Sequence, residues 1–116
     1  MNIFKKLFGG QKTTEEVRET KEKGFDMVKY DGVRALRMQQ FDLAAKFLEH
    51  ALQLNAEDLE CRDYLSRAYI SMGNLQQAYA QLQKISEAQP DNVAVLLRMA
   101  DVAYMMEDYI AMTDVC

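Results

Sequence analysis

Residues 59–90, LECRDYLSRAYISMGNLQQAYAQLQKISEAQP, hold two helical stripes separated by a turn. Leu65, Tyr69 and Met72 are spaced four and three apart, which is one face of a helix. Gly73-Asn74 closes that helix, because glycine readily takes the left-handed conformation in which helices end. The pattern resumes near Leu75, with Ala78, Leu82 and Ile85 facing inward. Pro90-Asp91 stops it, since proline cannot continue a helix and disfavours α for the residue before it. The unit predicted is helix, short turn, helix.

The unit recurs on both sides. Shifted by 34 residues without a gap, residues 25–58 lie over 59–92, and 93–116 begin a third copy. Tyr30 falls on Tyr64, Ala44 on Ala78 and Leu48 on Leu82. Met38, Met72 and Met106 coincide, followed in register by Phe41, Leu75 and Tyr109. In the first copy Gln39-Gln40 makes the turn, and Phe41, Ala44, Ala45, Leu48, Ala51 and Leu52 form the second helix's inner face. Gly32, Ser66 and Ala100 share one register position, where a small side chain lets helices approach closely and a larger one would overpack.

Composition agrees with an all-α chain. One proline and five glycines among 116 residues are too few for a turn-rich β fold. Ala, Leu, Gln, Glu, Lys and Met, which are good helix formers, dominate the long stretches. A net charge of −4 argues against a general nucleic-acid binder. No apolar run of about 20 residues spans a membrane, and the start MNIFKKLFGGQK lacks the apolar core of a secretory signal. Two cysteines do not staple a secreted domain, so a cytoplasmic location is expected.

The division expected is a basic and apolar tail over 1–12, a lead-in helix over 13–24, repeats at 25–58 and 59–92, and a partial repeat at 93–116. The tail holds Lys5, Lys6 and Lys12 and no acid, leaving −7 on the remaining 104 residues. Thr13 and Glu16 have capping-box spacing, so a helix is expected to start near Thr13 or Thr14. The tail reads two ways. Ile3, Phe4, Leu7 and Phe8 share a helical face beside Lys5 and Lys6, as in a membrane-surface anchor. The other reading is a tail that is disordered or docks on its own protein, because so short a helix is marginal in water.

The repeats resemble the tetratricopeptide repeat, a 34-residue helix–turn–helix unit. The second copy carries most of the likeness: Leu65, Ser66, Tyr69, Gly73, Ala78, Leu82 and Pro90 stand at its signature positions. The first matches at Gly32, Ala44, Leu48 and Ala51 and departs at Asp31 and Ala56; the third matches at Ala100, Tyr104 and Tyr109. Val28, Arg62 and Leu96 stand where the early tryptophan is usual. The resemblance implies a right-handed α-solenoid of antiparallel helix pairs, here truncated within the third pair. It implies a non-catalytic interaction module or scaffold that holds a partner peptide or helix along a concave groove lined by the first helices. Carried over, that groove is Asp26, Lys29, Val33 and Arg37, then Glu60, Asp63, Arg67 and Ile70, then Leu97, Asp101 and Tyr104. Tyr104 is either the best single anchor or a packing residue between the second and third pairs. Some members clamp acidic C-terminal tails of chaperones; Lys29 and Arg98 match that clamp, whereas Val33, Tyr64 and Ala94 do not. Two further readings are a membrane-peripheral assembly factor using residues 3–8 and a regulatory portion of a larger protein.

No catalytic constellation, cofactor or metal site is expected. His50 reads as a solvated surface residue and Cys61 as a small packing residue. Two cysteines do not make a zinc site, and Gly9-Gly10 lacks the strand and the Lys-Ser/Thr of a phosphate loop. The recurring methionines read as gap-filling core. Asp31 is expected to be wet or paired with Arg34 or Lys29. The third pair lacks a polar capping helix, so Met99, Val102, Met106, Tyr109 and Met112 are expected to leave apolar surface that drives self-association.

Overall fold

In a computed structural model of the chain, the backbone of residues 14–115 and the side-chain surroundings of residues 22–107 are described. The apolar face of residues 3–8 and the side chains of Tyr109 and Met112 lie outside these. Five helices follow one another: α1 (Thr14–Arg37), α2 (Phe41–Leu54), α3 (Leu59–Met72), α4 (Leu75–Ala88) and α5 (Val93–Val115). Each packs on the next, and α1 also reaches α3. The described chain is an all-α solenoid.

The lead-in stretch and the first repeat helix are one unbroken helix, α1. Residues 14–24 hold no proline, and Gly24 costs only about 1 kcal/mol relative to alanine in a helix interior. Arg34 and Arg37 in its last turn complement the negative end of the helix dipole.

The turns show why the register works. α3 ends on Gly73 at φ 79°, where the Gly73 N–H donates to the Ile70 carbonyl and the Asn74 N–H to the Tyr69 carbonyl. Gln39, 34 residues earlier, takes φ 60° with matching bonds, from Gln39 N–H to Leu36 and from Gln40 N–H to Ala35. A left-handed glutamine is strained by about 1–3 kcal/mol. The apolar face of α2, with Ala44, Ala45, Leu48 and Ala51 all buried, holds it there. Helix starts recur too: the Asp58 carboxylate accepts the Cys61 N–H at 2.9 Å, and the Asn92 side-chain oxygen accepts the Val95 N–H at 3.2 Å.

The third copy departs from this pattern. A turn was expected between Met106 and Tyr109, but α5 runs straight through to Val115. Glu107-Asp108 occupies the turn position, and glutamate favours helix over a left-handed cap.

Packing is closest where the small residues recur. A Cβ on Gly32 would lie 2.8 Å from Leu48 Cγ and Cδ2 and 3.3 Å from Phe47 Cβ, so α1 and α2 touch through bare backbone. Ser66 is fully buried and its hydroxyl donates to the Asp63 carbonyl at 2.6 Å. Ala100, by contrast, is exposed: among the described residues no other helix covers that flank of α5. One core cluster joins α1, α2 and α3 with Ala78; the other joins Leu82 and Ile85 to Val95 and Val102. Val102 is therefore fully buried, and Met99 and Met106 are half-buried. This corrects the expectation that they are left exposed: they face α4. Among the described residues, the large apolar side chains that α5 exposes are Val93, Leu96, Leu97, Tyr104 and Met105.

Candidate functional site

The first helices of the three units, α1, α3 and α5, contribute the residues singled out as a groove. Ion pairs stitch them together. Lys29 Nζ on α1 reaches Asp58 Oδ2 at 2.9 Å and Glu60 Oε1 at 2.8 Å at the start of α3. Its ammonium also stands 5.6 Å from the centroid of the Phe25 ring, a cation–π contact. Burial by itself lowers the pKa of Lys29, but hydrogen bonds to Glu60 and Asp58 and their charges outweigh it and raise it. Lys29 thus remains charged at neutral pH. On α3, Asp63 accepts Arg67 Nη2 at 3.0 Å and also pairs with Arg98 Nη1 of α5. Asp63 is the carboxylate on which two arginines from two repeats converge.

Lys29, Glu60, Asp63 and Arg67 are brought together on one continuous surface. Between α3 and α5 lies a cleft of about 330 Å³ lined by Leu59, Glu60, Asp63, Ala94, Val95 and Arg98, among others. Ile70 is half-buried and belongs to both core clusters, and Val33 is half-buried. Asp26, Arg37 and Asp101 are exposed. Leu97 and Tyr104 are 62% and 67% exposed, so Tyr104 does not pack between the second and third units. Asp31 is half-buried and, among the described residues, makes no ion pair. Both candidate partners are engaged elsewhere: Lys29 by Asp58 and Glu60, and Arg34 over the Tyr30 ring at 4.9 Å.

Sequence reasoning missed Asp58, which caps α3 and holds Lys29 at once. The visible signal was the recurrence of Asp58 and Asn92 at the 34-residue offset, ahead of each helix. Arg98 was visible only as a match to the acidic-tail clamp. Both of the residues that match that clamp, Lys29 and Arg98, are occupied by carboxylates of the chain itself.

Away from this surface, His50 is exposed. Cys61 is fully buried, with its thiol donating to the Leu48 carbonyl at 3.4 Å. Burial pushes that thiol up to about 11, with the Asp58 charge adding to it. At pH 8 such a group is about a hundredfold poorer in thiolate than a free cysteine of pKa near 8.5–9. In a Cys116→Ser chain, Cys61 should therefore react with a thiol reagent at least about 100-fold more slowly than in urea. Equal rates would show that α2 and α3 do not close over it. Tyr69 is buried and its hydroxyl donates to Glu49 Oε1 at 2.6 Å; burial and that carboxylate raise its pKa. Among the described residues no group of three or more His, Cys, Asp or Glu could hold a metal ion, and no helix is long and apolar enough to cross a membrane.

Antiparallel helix pairs stacked in a 34-residue register, with their first helices tied across repeats, define a helical-repeat protein. The family profile of the tetratricopeptide repeat matches residues 35–96, more than half of the chain. The chain belongs to the tetratricopeptide repeat family, whose repeats are protein-interaction modules and typically non-catalytic. It is similar to the mouse (Mus musculus) protein DnaJ homolog subfamily C member 3, at 26% identity over 114 residues. That match covers 91% of this chain and 22% of the mouse protein.

Proposed function

We propose that the surface formed by α1, α3 and α5 holds an amphipathic segment of a protein partner, and that the chain serves as a cytoplasmic interaction scaffold. The observation that carries this reading is the state of the charges. Lys29, Arg67 and Arg98 are engaged by Asp58, Glu60 and Asp63, while Leu97 and Tyr104 stand open to solvent beside Asp101. A purely acidic tail would have to displace internal carboxylates from each cation. An apolar segment with some charge of either sign meets no such competition. Apolar anchors then supply most of the affinity, and charges such as Asp26, Arg37 and Asp101 set register and association rate.

Tyr104 is the anchor proposed to matter most, because an aromatic ring offers large contact area with few rotors to freeze. Tyr104→Ala should weaken capture of partner proteins by the immobilised full chain by about 10–30-fold, the usual scale of an interface hot spot. Arg67→Glu removes an arginine from Asp63 and places two carboxylates side by side, and it should weaken capture as well. His50→Ala, at an exposed position of α2, serves as control, with far-ultraviolet circular dichroism reporting that each variant is folded. If the same partners are captured equally well by both folded variants, the ligand lies elsewhere, on the convex face or the N-terminal segment.

A further inference from the structure

The exposed face of α5 has a shape and a charge. Val93, Leu97, Ala100 and Tyr104 are spaced four, three and four apart, a stripe of about 16 Å at 1.5 Å per residue, with Leu96 alongside. Val93, Leu97 and Tyr104 are each more than 60% exposed. Ala100 at its centre leaves a shallow notch, at the register position where Gly32 and Ser66 seat the next helix of their own repeats. Asp101 borders the stripe one turn from Leu97, Glu107 lies one turn beyond Tyr104, and neither makes an ion pair among the described residues. The surface asks for two helical turns of large apolar side chains carrying positive charge.

The chain contains such a segment. Residues 1–8, MNIFKKLF, place Ile3, Phe4, Leu7 and Phe8 at helical spacing beside Lys5 and Lys6, with no acid before Glu15. Eight residues in helical form span about 12 Å, within the stripe. We infer that the α5 stripe takes the N-terminal segment of a second copy of this chain. The inference rests on the reading of the groove above and names one occupant for its α5 third. Reach excludes the chain's own segment. The repeat register sets Val93, the near end of the stripe, level with Phe25, which is about 16 Å along unbroken α1 from Thr14. Crossing from α1 past α3 to α5 adds two interhelix steps of about 8–10 Å each. Six fully extended residues carry Phe8 about 20 Å from Thr14, short of the roughly 23 Å or more that the axial and lateral distances make together. The contact is heterologous, so copies join head to tail unless two exchange segments reciprocally.

Sedimentation of the full chain from micromolar to millimolar concentration tests this. The weight-average mass should rise with concentration. The double variants Phe4→Asp/Phe8→Asp and Leu97→Asp/Tyr104→Asp should each weaken association by at least about 10-fold while circular dichroism stays helical. Mixing the two should restore a one-to-one complex that grows no further, because one chain keeps the stripe and the other the segment. A chain that stays monomeric throughout overturns the inference. So does association lost only in the stripe variant, which would be stripe against stripe, or lost only in the segment variant, which would place the segment elsewhere. A monomeric chain that floats with phosphatidylserine vesicles through Phe4 and Phe8 assigns the segment to a membrane surface instead. If the mixture fails to pair while partner capture still depends on Tyr104, the groove reading stands and this inference falls.

Discussion

Leu48→Ala should lower the free energy of unfolding by about 2–5 kcal/mol, the range for removing a large aliphatic side chain from a closed core. Leu48 is fully buried and meets three helices. Its side chain lies against Gly32 of α1, its carbonyl accepts the Cys61 thiol of α3, and it belongs to α2. The alanine leaves a gap on the side of α2 where α1 approaches so closely that a Cβ on Gly32 would lie 2.8 Å from the Leu48 side chain. Urea unfolding followed by far-ultraviolet circular dichroism measures it. In a stack whose units touch only neighbours, so local a defect can also split the transition, seen as a smaller dependence on denaturant. A loss below about 1 kcal/mol would mean that α2 is not wedged between α1 and α3.

Ala78→Leu should cost about 1–3 kcal/mol by the opposite mechanism. Ala78 is fully buried and lies on the α4 face turned toward α3, so added methylenes must push the two helices apart. His50→Ala, at an exposed position of α2, should change stability by less than about 0.5 kcal/mol. The contrast checks the assignment of helix faces: comparable losses would mean that one face has been read backwards.

The inward faces were legible because periodicity encodes them. Ala44, Leu48, Ala78, Leu82 and Ile85 are buried as their spacing requires, and Gly73 closes α3 as a glycine in that register should. Partnership was not legible. Periodicity says that Lys29 faces a neighbour but not which acid reaches it, so Asp31 was the sequence-local guess and Asp58, 29 residues on, is the partner. Val102 was misjudged for a related reason. α5 packs on α4, and its hydrophobic stripe turns toward that neighbour, leaving Leu97 and Tyr104 exposed. The missing third turn has another cause. The 34-residue match carries Met106 and Tyr109 into register, yet Glu107 stands where Gly73 closes α3, and glutamate favours helix over a left-handed cap.

Contacts confined almost entirely to helices that follow one another shape how this polypeptide is born. Helix pairs are joined by short connections such as Gly73-Asn74, so little chain must be searched before a contact closes, and folding in such topologies is fast. On a ribosome adding roughly 5–20 residues per second, α1 and α2 can dock before α4 has been synthesised. The Lys29 ammonium then waits only for Asp58 and Glu60, at the junction of the first unit with the next. Stability among the described helices is acquired in instalments along the direction of translation, each helix waiting chiefly for the one that follows it.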